Sequence, residues 1–589
     1  MKRIFVLILA AALLLAGCSK SAPEDTVATV SDDNVPAETI AAPQSFSGTM
    51  EYEEAQVPFA NRFDSETVIV LSDDGIAVNG GSETNTVFTS HDIIYYEDKD
   101  SYESGNPYGD GDAADKHTAE EAAAHTVVNI TAPGTYRVSG KLSAGQIRID
   151  LGEDAYYDET AVVELILENA DITCTVAPAI LFLNVYECDG NWSTDTAQAN
   201  MDTSAAGANL ILEGENTVSG SYVAKIYKDK EGEKKLWKQD GAIYSYMSMN
   251  VFGPGSLDLT AANEGMDTEL HLTINGGDIA IRSGNDGINT NEDGVSVTTI
   301  NGSNLHIIAG LAGEGDGIDS NGYLVINGGT VVSSAHPAAD AGLDSDLGSF
   351  IHGGTVIALG STMDWAESES GQATMNLQFA SQQSSSAIVI AKEDGTIVFA
   401  YDPSEDEILA KNLRTYQGAV ISCPGLQVGE SYLVYLDGIL EGNDKGGIFS
   451  SVSSYASGVQ MQYTGTDLGG FGGMIPGGFG AGAERPDGFD GQKPGGFGGE
   501  IPEDFSGFQG QMPGGFGGEI PEDFSGFQGQ MPGGFGGEIP EGFNPGQMPG
   551  GSFPQGDGRG HGGQPSGEAS TVFYLADKVN AFCGMSAVK

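Results

Sequence analysis

The chain has 589 residues and a formal net charge of -58, from 83 acidic against 25 basic side chains. Such a balance repels nucleic acid and anionic membrane faces and concentrates cations. Neither nucleic-acid binding nor electrostatic attachment to a membrane surface is therefore expected.

Lys2 and Arg3 precede an apolar run of twelve residues, Ile4 to Leu15. As a helix it is too short for a bilayer core of ~30 Å, and it has the size of a signal-peptide h-region. The run ends Leu15-Ala16-Gly17-Cys18, which resembles the lipobox of bacterial lipoproteins, where the cysteine is lipid-modified. Residues 1–18 are thus expected to be a lipoprotein signal peptide with Cys18 as the lipidation site. That makes the protein extracellular and held to the bacterial cell membrane by the lipid alone. Residues 19–45, rich in Ser, Ala, Pro, Asp and Thr, have the composition of a flexible tether. Four further cysteines, Cys174, Cys188, Cys423 and Cys583, match no zinc spacing. Cys174 and Cys188 flank a strand-like run, and whether they pair is open.

Residues 46–125 form an acidic preamble with strand-like patches such as Thr67-Val-Ile-Val-Leu71. Residues 126–362 are strand-dense and glycine-rich. Residues 363–465 read as a smaller β region. There Ala387-Ile-Val-Ile-Ala391 and Thr396-Ile-Val-Phe399 flank the hairpin turn Asp394-Gly395. Residues 466–569 are low-complexity: the unit opening at Gly495 recurs at Gly514 and, decaying, at Gly533, a period of 19. Gly and Pro at this density oppose helix and sheet, so a disordered Gly/Phe/Pro-rich segment is expected. Residues 570–589 carry one returning strand, Val572-Phe-Tyr-Leu575, and the tail.

Two motifs interleave in the strand-dense part. The first is Ile274-Asn-Gly-Gly-Asp-Ile279, Ile300-Asn-Gly-Ser-Asn-Leu305, Ile326-Asn-Gly-Gly-Thr-Val331 and Ile351-His-Gly-Gly-Thr-Val356, at spacings of 26, 26 and 25. The second is Glu264-Gly-Met-Asp-Thr-Glu269, Asp286-Gly-Ile-Asn-Thr-Asn291, Asp316-Gly-Ile-Asp-Ser-Asn321 and Ala341-Gly-Leu-Asp-Ser-Asp346. Two motifs alternating at one period imply one structural coil per period. About 25 residues accommodate three short strands and their turns, with Asn-Gly-Gly as a corner where glycine takes positive φ. The expected fold is all-β: a right-handed parallel β-helix, a three-sided solenoid, with the smaller β region behind it. Its open end exposes apolar core and strand edges, so the preamble is expected to cap it. Leucine-rich repeats have similar periods, but their Leu-x-x-Leu-x-Leu signature is absent here, and propeller blades need longer units.

Alternate side chains on a strand face opposite sides. Met266, Ile288, Ile318 and Leu343 then point inward, as do Thr268, Thr290, Ser320 and Ser345. Asp267 with Glu269, Asn289 with Asn291, Asp319 with Asn321, and Asp344 with Asp346 point outward. Parallel strands lie ~4.8 Å apart. Two carboxylates at that separation repel by roughly 3 kcal/mol at an effective dielectric of 20. A single Asp-Gly is an ordinary turn former. Four acidic copies locked to one period call for a compensating cation, and an all-oxygen donor set suits Ca²⁺. Asn263, Glu264, Asn285, Asp286, Glu292, Asp316 and Asp340 are placed to complete its coordination. The EF-hand pattern is absent.

These coils follow Val127-Val-Asn-Ile-Thr-Ala-Pro-Gly-Thr-Tyr-Arg137, Leu165-Ile-Leu-Glu-Asn-Ala-Asp-Ile-Thr-Cys174 and Leu210-Ile-Leu-Glu-Gly-Glu-Asn-Thr-Val218, and precede Val420-Ile-Ser-Cys-Pro424. Together the stretches resemble the bacterial carbohydrate-binding β-helix family whose founding member binds cellulose and polygalacturonic acid. The resemblance spans roughly residues 127 to 440. It implies a parallel β-helix, calcium at the acidic corner residues named above, and non-catalytic binding of a cell-wall polysaccharide. Residues 466–569 lie outside it. A calcium ion with open positions can bridge to a uronate carboxylate, which lets an acidic protein hold an acidic polymer. Tyr244, Tyr246 and Tyr323 lie where sugar stacking or core packing are both open.

Two rival readings remain. Pectate-lyase-like enzymes share the fold and use Lys or Arg beside calcium. Here Arg282 is the only Lys or Arg between Asn263 and Asp346, and Lys225, Lys228, Lys230, Lys234, Lys235 and Lys238 sit in a loop alternating with acids. A calcium-stabilised surface adhesin is the other. The balance leans away from an enzyme.

Overall fold

The computed structural model describes residues 46–50, 57–96, 116–190, 193–227, 235–384, 386–405, 414–466 and 569–588. The expected signal peptide, Cys18, the tether, residues 467–568 of the low-complexity segment, and Lys228, Lys230 and Lys234 lie outside them. Among the described residues the protein is nearly all β. Its helical elements are Ala119–Ala123, closed by a Thr118 capping box, and the 3-10 turn Glu153–Tyr157. No described helix is long and apolar enough to cross a membrane.

Long stacks of parallel strands dominate, and each repeat adds a strand to three ladders. The first ladder runs from Gly134–Leu142 through Val163–Thr173, Ala208–Glu213, Met249–Phe252, Leu272–Ile274, Val297–Ile300 and Tyr323–Ile326 to Gly348–Ile351. The second continues from the far ends of the first two of these strands. It passes through Glu215–Gly220, Ser256–Ala261, Asp278–Ser283, Asn304–Ile308 and Thr330–Ser334 to Thr355–Gly360. The third comprises Thr126–Ile130, Gly145–Asp150, Ile180–Asn184, Gly241–Ser245, Glu264–Thr268, Ile288–Thr290, Ile318–Ser320 and Leu343–Ser345.

Identical motif positions meet in register, which is why the repeat is legible. Ile274, Ile300, Ile326 and Ile351 stack in the first ladder, and Met266, Ile288, Ile318 and Leu343 in the third; all are buried in one core. Each such side chain contributes roughly 1.5–3 kcal/mol of burial. The inward hydroxyls are satisfied locally: Thr290 Oγ1 lies 2.9 Å from Ser320 Oγ, and Ser320 Oγ donates to Tyr323 O. Between the ladders the Asn327-Gly-Gly329 corner requires its second glycine, whereas the preceding copy turns with Ser303 there. Gly329 has φ 87°, and a Cβ there would meet Ser303 O at 2.4 Å.

Parallel growth stops at Thr355–Gly360, which pairs antiparallel with Thr415–Ser422. The C-terminal β region then packs its own core against Ile308, Val332 and Ile357 of the second ladder. The hairpin at Asp394-Gly395 forms as Ile388–Lys392 and Ile397–Tyr401. The returning strand differs from expectation. Phe573–Tyr574 is short, and the main strand is Val579–Ala587, held beside Thr374–Ser384 and Val459–Gln462.

The preamble does not behave as one block. Phe46–Thr49 pairs with Ile448–Ala456 of the C-terminal region. The following residues meet the stack in descending order. Val57 N donates to Asn275 O, Phe59 lies 4.9 Å from Phe252, and Arg62 reaches the carbonyls of Ser204 and Ala205. Glu66–Ser72 then adds a parallel strand to Gly134–Leu142, and Val87–Ser90 pairs with Thr126–Ile130.

Candidate metal and carbohydrate site

The third ladder carries the acidic motif. Its pairing places Asp267, Asn289, Asp319 and Asp344 in one column, each opposite the next. Two residues before each buried Met266, Ile288 and Ile318 stand Glu264, Asp286 and Asp316, which form a second column. Glu269, Asn291, Asn321 and Asp346 follow the strands as a third, their N–H groups donating to Ser245, Thr268, Thr290 and Ser320 of the preceding repeat. Asn285 and Asp340 occupy the loops leading in.

Outward direction does not bring exposure. Asp267 is 0% exposed, and Glu264, Asp286 and Asn289 are also buried. The glycine-rich loop 309–316 folds onto the preceding repeat: Gly310, Leu311 and Ala312 donate to the carbonyls of Asn285, Ser283 and Gly284. Gly315 allows this approach, since a Cβ there would meet Asn285 O at 2.5 Å. Carboxylates then link successive repeats. Asp286 Oδ1 accepts from Asp316 N at 2.7 Å, Asp316 Oδ1 from Ala341 N at 2.5 Å, and Asp340 Oδ2 from Gly315 N at 3.2 Å.

Burial and like charge act together here. Burial raises the Asp286 carboxyl well above the usual range, and Glu264, Asp319 and Asp316 push it the same way, against the Asp316 N–H. Asp319 is raised for the same reasons, chiefly burial, then Asp344 and Asp316. Asp316 is pushed to about 7 by burial and Asp344. Asp344 is raised by burial and Asp340. Glu292 is pushed to about 7 by burial, Glu269 and Asp293. Asp346, the most exposed of the set, reaches about 6 through burial, Asp293 and Asp344.

Two participants escaped the sequence reading. Asp240, Glu264 and Asp267 are all buried, and a carboxylate oxygen from each lies within 4.8 Å of the others. Asp240 opens Asp240-Gly-Ala-Ile-Tyr-Ser245, an Asp-Gly motif with one residue inserted before the inward Ile243, so it breaks the pattern by eye. Asp364 extends the column beyond Asp344: its N–H donates to Leu343 O, and its carboxylate accepts from Ser345 Oγ at 2.8 Å. Burial pushes it to about 7, aided by Asp344 and Glu367 and opposed by Ser345. Its spacing of 20 residues from Asp344 is shorter than the repeat.

The donor set fits a hard cation. It consists of carboxylate and amide oxygens, and Asn289 Oδ1 is buried with no hydrogen-bond partner. Such an orphan atom costs about 1–3 kcal/mol unless something ligates it. The outer column is more engaged with protein. Tyr244 OH donates to Glu269, Asn291 Nδ2 to Asp267, and Asn321 Nδ2 to Asn291 O and Asp293.

The other candidates separate clearly. Tyr244 is fully buried, edge-on to Tyr246 at 5.1 Å, and is a wall of the column rather than a sugar platform. Tyr323 is half-buried, 6.1 Å from Phe350. Arg282 is on the second ladder, paired with Asp258 at 2.9 Å. Cys174 and Cys188 are both free thiols; burial pushes Cys174 up to about 11.

Stacked parallel ladders bearing an in-register oxygen-rich column define a repeat-built, all-β protein. Residues 124–422, just over half of the chain, match the model of the family described as "Carbohydrate-binding domain-containing protein". The chain belongs to that family. No curated protein matches it. Among solved structures, one titled "Structure of the polysaccharide lyase-like protein from C. thermocellum, Gadolinium derivative" is 19% identical. It covers 48% of this chain and 91% of that one, with a TM-score of 0.27, too low to bear on fold or function.

Proposed function

We propose that the three ladders form a right-handed parallel β-helix that binds calcium along the acidic columns and uses it to hold a cell-wall polysaccharide without cleaving it. The observation that carries this reading is the register Asp267–Asn289–Asp319–Asp344, flanked by Glu264, Asp286 and Asp316, in which buried carboxylates have other carboxylates as their nearest charges. Isolated, that arrangement is unfavourable; with Ca²⁺ taking about 6–8 oxygens it becomes a binding site. Asp240, Glu264, Asp267 and Asn289 would hold one ion. Asp286, Asp316 and Asp319 would hold the next, and Asp340, Asp344 and Asp364 a third. Glu269, Asn285, Asn291, Asn321 and Asp346 line the outer side.

Family membership supports a carbohydrate partner. An acidic polymer such as polygalacturonate is the ligand that calcium with open positions would bridge, and cellulose is the neutral alternative. The engagement of Arg282 with Asp258 favours binding over elimination chemistry. Lipidation at Cys18 would keep the protein at the outer face of the cell membrane. Loss of labelled fatty acid in Cys18→Ser tests that part.

The central test is calorimetric titration of the chain lacking residues 1–18 with polygalacturonate, in calcium and in excess chelator, with ultraviolet absorbance followed for unsaturated uronates. Binding in calcium alone, with flat absorbance, is the expected result. Rising absorbance would make the protein a lyase. Calcium binding without polymer binding would leave a calcium-stabilised surface protein.

A further inference from the structure

The third ladder hands the chain to the first through a turn in every repeat. In the later repeats these turns carry Glu269, Glu292 and Asp346. In the repeat of Gly145–Asp150 the same turn is the 3-10 element Glu153–Tyr157. Tyr157 there is 71% exposed, the most exposed large apolar side chain among the described residues. It is not on a loose loop. Ala155 of the same turn is buried, Leu151 N donates to Asn184 O, Asp158 N to Ala155 O, and Glu187 N to Tyr156 O. Asp158 Oδ1 closes the turn by accepting from Thr160 N and Thr160 Oγ1 at 2.9 and 2.7 Å. Tyr156, half-buried, meets Tyr157 edge-on at 4.6 Å and 74°, so one side of the ring has a partner and the rest faces solvent.

We propose that Tyr157, steadied by Tyr156, is a stacking platform for a neutral pyranose ring, at a site separate from the acidic columns. Isolated exposed apolar residues are ordinary; a rigidly held, outward aromatic pair is the feature that sugar recognition uses, because a pyranose with equatorial hydroxyls has a flat C–H face that packs on a ring. The surroundings select the ligand's charge. Glu153, Asp154, Asp158 and Glu159 are all exposed beside the ring. They repel a uronate and can accept hydrogen bonds from sugar hydroxyls. With no calcium needed, the site takes an uncharged glycan. This inference rests on the carbohydrate-binding reading above and adds a second, metal-independent contact to it.

The test is titration of the full chain with cellohexaose in chelator, and with polygalacturonate in calcium, for wild type, Tyr157→Ala and Tyr157→Phe. The melting temperature of each is checked to establish folding. Cellohexaose binding in chelator is expected, weakened about tenfold in Tyr157→Ala and largely kept in Tyr157→Phe, which retains the ring. Polygalacturonate binding is expected to be equal in all three. Unchanged cellohexaose affinity in a folded Tyr157→Ala overturns the proposal. So does wild type that binds polygalacturonate but no cellohexaose, which leaves the broader reading intact. Binding of neither polymer overturns both.

Discussion

The third ladder is one continuous stack, yet its outward column changes character halfway. In the early repeats it reads Asn129, Arg148, Leu181, Tyr244; in the later ones Asp267, Asn289, Asp319, Asp344. Backbone and pairing are the same. The early half is self-sufficient: Arg148 donates to Asn129 Oδ1 at 2.7 Å and pairs with Asp92 at 3.0 Å, and Leu181 and Tyr244 are buried. The later half concentrates buried negative charge and leaves Asn289 Oδ1 unpartnered. The stack thus provides a ruler of fixed spacing, and the side chains in one column decide whether a repeat is self-sufficient or gathers buried negative charge.

The largest expected effect is on metal removal. Each ion held at a hundredfold excess over its Kd stabilises the fold by about 2.7 kcal/mol. Chelation should therefore lower the melting temperature sharply. It should also speed amide exchange in Ile288–Thr290 and Ile318–Ser320, while Thr126–Ile130 and Gly145–Asp150 keep their protection. Uniform loss across both halves would erase the contrast. The pH dependence should carry the same signature. Asp316 and Asp364 titrate at about 7 against an ordinary 3.8, so the metal-free folded state binds more protons than the unfolded chain across that window. Their contribution to calcium-free stability is then full below about pH 4 and is lost as pH rises through 7. With calcium, which requires the deprotonated form, the slope should reverse. Parallel thermal melts from pH 4 to 8 read both slopes.

Asp319→Asn should show opposite signs in the two conditions. It removes a ligand, so calcium-loaded protein should lose about 1–3 kcal/mol. It also relieves repulsion, so metal-free protein should gain stability. Denaturant titrations with and without calcium check this; destabilisation in both would mean that Asp319 serves the fold alone. Tyr244→Phe probes the boundary between the halves. Losing the bond to Glu269 should cost about 1.5–3 kcal/mol, since the acceptor is charged, with calcium affinity of the inner columns little changed. A comparable or smaller effect is expected from Arg148→Met: the exposed Asp92 pair adds little, but the buried Asn129 Oδ1 loses its donor, at about 1–3 kcal/mol. That loss should be the same with and without calcium.

Much of this was legible because repetition turns sequence spacing into spatial register. The inward Met266, Ile288, Ile318 and Leu343 and the outward Asp267, Asn289, Asp319 and Asp344 follow from period-two alternation on strands that stack in phase. Asp240 and Asp364 were not legible, because each departs from the period by an insertion or a shortened turn that only backbone pairing reveals. Burial of the outward acids was also unreadable. At Asp286 it accompanies loop 309–316 folding over residues 283–286, a contact between segments with no shared pattern. Phe46–Thr49 shows the same limit: four residues of strand propensity say nothing of a partner about 400 residues away.

Local rules, then, determined the repeat, the parallel ladders and which oxygen-bearing residues share a column, since each depends on spacing within one or two coils. Tertiary structure alone decided how deeply those carboxylates are buried, that Asp240 joins them beside Tyr244 and Asp364 extends them, and how the first strand reaches the C-terminal region. Those outcomes depend on which distant surfaces exclude water from a given side chain, and desolvation belongs to the assembled neighbourhood rather than to any stretch of chain.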